Sequence, residues 1–203
     1  MNAQQQLLAA EAQLGERLRA AGPTAGVADH LPLGRLLPVV AGAFTGAGKG
    51  DWAAVGPRER IGAVLRGCGV ERLVDPMAGA QPYKLSPVSA APGARLLQAV
   101  GLGLASGGPV LCMIGMAGAA SGELHEALSV AQQNNVKLII VVTDLALPPE
   151  AGVARQTGAD LLALAAAHGV RGAAVGPTEA EVREAVSAAR GATGPSLLLV
   201  SVP

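Results

Sequence analysis

The stretch best placed to do chemistry in this chain is Gly115-Met-Ala-Gly118-Ala-Ala-Ser-Gly122. It follows a short apolar run, Val110–Ile114, and opens a helical pattern. A turn between a buried strand and a helix aims its amides at whatever occupies the sheet edge, with the positive helix end behind them. Small side chains at 117–122 let a ligand backbone or a phosphate come close. The same residues also suit plain tight packing of a helix on a sheet, and spacing alone leaves both readings open.

Other chemistry fails on spacing. Gly46-Ala-Gly48-Lys49-Gly50 has the look of a phosphate loop, but a Walker sequence needs Gly where Ala43 stands and Ser or Thr where Gly50 stands. It reads as a turn. His125-Glu126 would begin a zinc-protease helix only with a second His at 129, which is Ser129. No G-x-S-x-G elbow exists for a serine nucleophile. His30 and His168 have no carboxylate or Cys at ligand spacing, and His168 falls at a helix end, where a cation suits the dipole. Cys68 and Cys112 are isolated, so they read as small buried apolar residues rather than a disulfide or zinc pair. No catalytic residue and no metal ligand is assigned.

The elements that position the turn must be built from small aliphatic side chains. Half of the 203 residues are hydrophobic, yet Phe44, Trp52 and Tyr83 are the only aromatics. The 15 basic and 15 acidic residues cancel and form no basic stripe, so neither nucleic acid nor an anionic membrane surface is an expected partner. The N-terminal residues lack the basic and apolar regions of a signal peptide, and apolar runs such as Leu138–Val142 are too short to span a bilayer. A cytoplasmic location is expected.

Residues 4–21 read as a helix with Leu7, Leu8, Leu14 and Leu18 on one side. His30–Phe44 holds a helix interrupted by Gly34 and Pro38, and Pro57–Gly67 a second one stopped by Gly67 or Gly69. Asp75–Pro92, with four prolines, reads as extended. From Gly93 onward strands and helices alternate. Helices are expected at Ala94–Ala105, Gly122–Gln133, about Ala159–His168, and from the capping box Thr178-Glu-Ala-Glu181 to Arg190. Strands are expected at Val110–Ile114, Val136–Val142, Val170–Val175 and Ser196–Val202. Alternation of this kind implies α/β architecture, a parallel sheet with helices on both faces. Residues 1–75 read as a helical N-terminal arm and 76–203 as the α/β domain. Ligands of such sheets sit beyond the strands' C-terminal ends, here Gly115–Ser121 and Thr143–Leu147.

Gly115–Leu128 with His125-Glu-Ala-Leu128, then Val136–Val142, Gln156-Thr157 and Gly194-Pro-Ser-Leu197, resembles the alpha-type decarboxylating subunit of the thiamine diphosphate-dependent 2-oxoacid dehydrogenases. The resemblance covers roughly residues 75–203 and is good over 93–203. It implies the thiamine diphosphate-binding fold, in its diphosphate-type domain. It also implies a cofactor-facing turn at Gly115, Gly118, Ala119, Ala120 and Ser121, vestigial in this chain. In the family an Asp and an Asn at the ends of two neighbouring strands hold Mg²⁺ on the cofactor's diphosphate. The matching positions here are Met116 and Leu145, with Asp144 beside the latter.

Two readings follow from the resemblance. In one the chain is a degenerate, non-catalytic relative that binds neither thiamine diphosphate nor Mg²⁺ and serves as a scaffold or regulatory partner. In the other it is an oxidoreductase of the 2-oxoacid dehydrogenase type, active only with a pyrimidine-domain chain. Both imply a homo-oligomer or a heteromer with such a chain.

Overall fold

Runs of Val, Leu and Ile that do not alternate with polar residues require a sheet buried on both faces, and the chain builds one. The structure is a computed structural model and describes residues 1–21, 32–74, 82–89, 91–146 and 158–203. Its helices are α1 (Ala3–Ala21), α2 (Leu37–Gly46), α3 (Pro92–Ser106), α4 (Met116–Ala119), α5 (Gly122–Gln133), α6 (Leu161–Ala167) and α7 (Glu179–Gly191). Its strands are β1 (Trp52–Ala54), β2 (Val110–Gly115), β3 (Leu138–Leu145), β4 (Arg171–Val175) and β5 (Ser196–Val202). All pair in parallel, in the order β1-β2-β3-β5-β4.

Side chains of successive strand residues go to opposite faces. Leu111, Met113, Ile139, Val141, Leu198 and Val200 pack on one side with α1, α2, α7 and the 3-10 helix Glu59–Arg66. Val110, Cys112, Ile114, Leu138, Ile140, Val142 and Leu197 pack on the other with α3, α5 and α6. The result is three layers, helix–sheet–helix. No helix among the described residues is long and apolar enough to cross a membrane.

Most elements lie where the residues point. Pro57–Gly67 forms a 3-10 rather than an α-helix, stopped at Gly67 in a left-handed conformation (φ +93°). In α1, Leu7 and Leu14 are buried but Leu8 is 52% exposed, because one residue turns the helix by 100° away from the Leu7–Ala10–Leu14 face. The loop Leu147–Gly152 and the pairs Asp75-Pro76 and Gln156-Thr157 lie outside the described residues. Of the extended segment, residues 82–89 carry no helix.

The sequence pattern contains no sign of β1, a three-residue strand too short to show a period. Trp52, Ala53 and Ala54 pair with Val110, Leu111 and Cys112, and the outer edge of β1 is met by Ser86 N–H and Lys84 C=O at Ala53. Residues before 75 thus supply the sheet's edge strand and much of one helical layer.

Helix α7 begins with the expected capping box, Thr178 and Glu181 each serving the other's amide. Thr178→Ala is expected to lower stability by about 1 kcal/mol, read from urea unfolding, since it leaves the Glu181 amide without its acceptor.

Candidate functional site

The connection after β1 and the connection after β2 leave the sheet towards opposite faces. The first leads into the 3-10 helix Glu59–Arg66 on one side, the second through α4 into α5 on the other. Divergence of this kind opens a crevice at the C-terminal strand ends. Here it is a cavity of about 300 Å³, lined by Gly56, Pro57, Arg58, Glu59, Pro92, Arg95, Gly115, Ala117 and Gly118.

The cavity's charge comes from residues that the sequence pattern did not single out. Arg95 is 6% exposed; its Nη1 donates to Met113 O at 2.8 Å, and its buried Nε has no partner. Glu59 and Arg95 both crowd Gly56, where a Cβ would lie 2.4 Å from Glu59 Oε2 and 2.9 Å from Arg95 Nη2. A side chain at 56 would have to push both of these long side chains aside. The available signal for Arg95 was that it is the one charged residue of α3. Arg58 and Glu59 read in sequence simply as the start of a helix.

The Gly-rich turn is not an open loop. Residues 116–119 form the single turn α4, Ala120 N–H donates to Met116 O at 2.9 Å, and Ser121 N–H to Gly118 O at 3.3 Å. Those two amides are spent within the chain. Gly115 and Gly118 line the cavity, Ala119 is buried in the core against β2, and Ala120 is exposed outside the lining. Ser121 Oγ donates to Gly118 O at 2.7 Å. Thr143, at the end of β3, is buried and donates to Ile114 O at 3.3 Å.

Two features oppose a metal-bound diphosphate. In register, Gly115 stands beside Thr143, so Met116 and Asp144 follow at neighbouring strand ends. Met116 packs on the α3–α5 core and Leu145 on the opposite one, which leaves Asp144 as the one carboxylate between them. Magnesium takes a near-octahedral set of oxygens, commonly with one or two carboxylates, and neither a thioether nor Leu supplies one. Among the described residues no group of three or more His, Cys, Asp or Glu could hold a metal. Second, Glu123 lies against the first turn of α3: a Cβ on Gly93 would sit 2.8 Å from Glu123 Oε2. The Glu123 amide holds its carboxyl below the ordinary carboxylate range, so this helix end already faces an anion. The residues present do not fit Mg²⁺–diphosphate.

Cys68 and Cys112 are both buried and free, as their isolation suggests, and burial pushes the Cys112 thiol up to about 12. Neither is a nucleophile at neutral pH in such surroundings. The Gly46–Gly50 turn holds no phosphate geometry: Gly48 N–H donates to Asp51 Oδ2 at 2.7 Å, and Asp51 is bound in turn by Arg190.

A three-layer parallel α/β unit with its crevice at diverging strand ends is a ligand-binding class of fold, and comparison with solved structures narrows it. No protein-family model matches the sequence, and no curated protein matches it. An enzyme described as thiamin diphosphate-dependent, from Mycobacterium smegmatis, aligns over 90% of this chain and 33% of its own, at 19% identity and a TM-score of 0.61. Transketolase from Campylobacter jejuni subsp. jejuni NCTC 11168 aligns over 82% of this chain and 32% of its own, at 14% identity and a TM-score of 0.66. The fold is the thiamine diphosphate-binding fold, and the chain spans about a third of the length of these two structures.

Proposed function

We propose that this chain is a diphosphate-type module of the thiamine diphosphate fold, related to the alpha-type subunit of 2-oxoacid dehydrogenases, that acts as a scaffold or regulatory partner without Mg²⁺–cofactor catalysis. The observation that carries this reading is the pair of strand ends, where Met116 and Leu145 lie half-buried against opposite cores and leave Asp144 as the one carboxylate between them. Asp144 without a metal repels a diphosphate rather than holding it. The partner is a pyrimidine-type domain chain or a second copy. Helix α3 supports contact with one: its only charge is buried, and Leu97 and Leu104 are 43% and 51% exposed, one either side of Gly101.

Calorimetric titration of thiamine diphosphate with Mg²⁺ into the chain is expected to show no saturable binding. Micromolar, metal-dependent binding would overturn the reading. The cavity between β1 and β2 favours a second reading, an enzyme that takes a differently anchored ligand through Arg58 and Arg95 and works only with a pyrimidine-domain chain. Decarboxylation of a 2-oxoacid appearing when such a chain is added would select it.

A further inference from the structure

We propose that His125 and His168 form a surface site for a zinc-type divalent ion that ties α5 to the end of α6. The two residues are 43 positions apart in sequence, yet His125 Nδ1 and His168 Nε2 face each other at 3.5 Å. Their rings meet edge-on, with centroids 5.6 Å apart and planes at 74°. Two imidazole nitrogens on one tetrahedral Zn²⁺, each at about 2.0–2.1 Å, lie roughly 3.3–3.4 Å apart. The pair therefore already has the separation that a shared ion imposes. One proton can lie between the facing nitrogens. When Zn²⁺ takes its place, the donating imidazole carries its proton on its other ring nitrogen, and both facing lone pairs become metal ligands.

The local structure holds both imidazoles in place before any ion arrives. His168 closes α6, its amide donating to Leu164 O at 3.3 Å and Ala165 O at 3.1 Å. Gly169 then takes the left-handed conformation (φ +70°) that ends the helix. On α5, His125, Ser129 and Gln132 follow one another at i, i+4 and i+7, the spacing of a single helix face. Gln132 touches the same corner, its Nε2 lying 3.5 Å from where a Cβ on Gly169 would stand. His125 is exposed and His168 half-buried, so an ion reaches the pair from the solvent side of His125. No cluster of three or more ligating residues occurs among the described residues, so the remaining tetrahedral positions stay open to water or to a ligand from outside. Imidazole pairs suit zinc, copper or nickel rather than magnesium, which separates this site chemically from the strand-end crevice.

The test is a calorimetric titration of Zn²⁺ into the full chain and into His125→Ala and His168→Ala, with thermal unfolding in parallel. Neither side chain is buried in the core, and circular dichroism checks that each variant folds. The expected result is one ion per chain, with binding lost in either variant. Zn²⁺ should also raise the Tm of the unsubstituted chain alone, by linkage. Absence of saturable binding, or binding that survives either substitution, would overturn the proposal. Neither result depends on whether thiamine diphosphate binds.

Discussion

Asp51→Ala is expected to lower the unfolding free energy by about 2–3 kcal/mol, the loss typical of removing a buried charged hydrogen-bond acceptor and stranding its donors. Asp51 is 4% exposed, at the start of β1. Its Oδ2 accepts from Arg190 Nε and Gly48 N–H, both at 2.7 Å, and its Oδ1 from Arg190 Nη2 at 3.1 Å. This carboxylate fastens the turn after α2 to the last turn of α7, two elements far apart in sequence. It also faces a second cation. Arg66 is buried, its Nη1 donating to Asp51 O at 2.8 Å, with Nε and Nη2 unpartnered. Burial lowers the Arg66 pKa to about 10, and the charge of Asp51 pulls against that shift.

With its folded pKa below the unfolded value, Arg66 opposes folding while protonated. That opposition fades as pH rises above about 10, because there the unfolded chain binds more protons. Removing Asp51 leaves this cation worse placed and strands the Gly48 amide as well. Arg190→Ala is expected to cost only about 1 kcal/mol, since Arg190 is 45% exposed and Asp51 keeps its other partners. Urea unfolding of the two variants measures the asymmetry. Equal losses would mean that the pair, rather than the buried carboxylate, is what matters.

Gly42→Ala and Gly46→Ala are each expected to cost about 2–3 kcal/mol, against the usual trend for helices. In an open helix Ala exceeds Gly by about 1 kcal/mol. Here α2 lies directly on the backbone of α7. A Cβ on Gly42 would stand 2.6 Å from Glu179 O and 2.8 Å from Val182 Cβ, and one on Gly46 2.6 Å from Arg183 O and 2.9 Å from Val186 Cβ. Carbonyl oxygens of a helix cannot rotate aside as a side chain does, so the helices must part, and overpacking of this kind costs about 1–3 kcal/mol. Gly15→Ala in α1 is the control. Its Cβ would meet nothing nearer than Arg19 Nη1 at 3.6 Å, so it is expected to stabilise by about 0.5–1 kcal/mol. Thermal unfolding of the three variants decides the matter by sign. A gain in all three would remove close helix contact from the account of this fold.

The sheet was legible in the sequence because its strands are buried on both sides. Leu138–Val142 has no polar interruption, and Ser196–Val202 and the Thr178 capping box begin and end where the residues place them. Local chemistry of this sort survives without knowledge of the partner. What was not legible depends on residues distant in sequence. Strand β1 exists because Val110–Cys112 offers it an edge, and nothing in Trp-Ala-Ala announces that. The Gly42 and Gly46 spacing acquires meaning only when α7 is placed across it. The cavity was half legible. Gly115 and Gly118 stood out by type, whereas Glu59 and Arg95 come from two other elements and meet them only through the fold. The histidines show the same limit: His125 and His168 each lack a ligand at sequence spacing, and the contact between α5 and α6 supplies it.

The pairing of β1 with β2 has a consequence for the order in which the chain is made. Trp52 leaves the ribosome more than fifty residues before Val110, its hydrogen-bonded neighbour. At roughly 5–20 residues per second, β1 and the apolar helix ahead of it wait several seconds for their partner. Strands β2 and β3 are separated only by α4 and α5 and meet sooner. Long-range parallel contacts are slow to form because loop closure comes before any pairing is gained. The first half of the chain is thus a latecomer to its own sheet. During that interval Val39, Val40 and Phe44, which end fully covered, have no sheet to cover them.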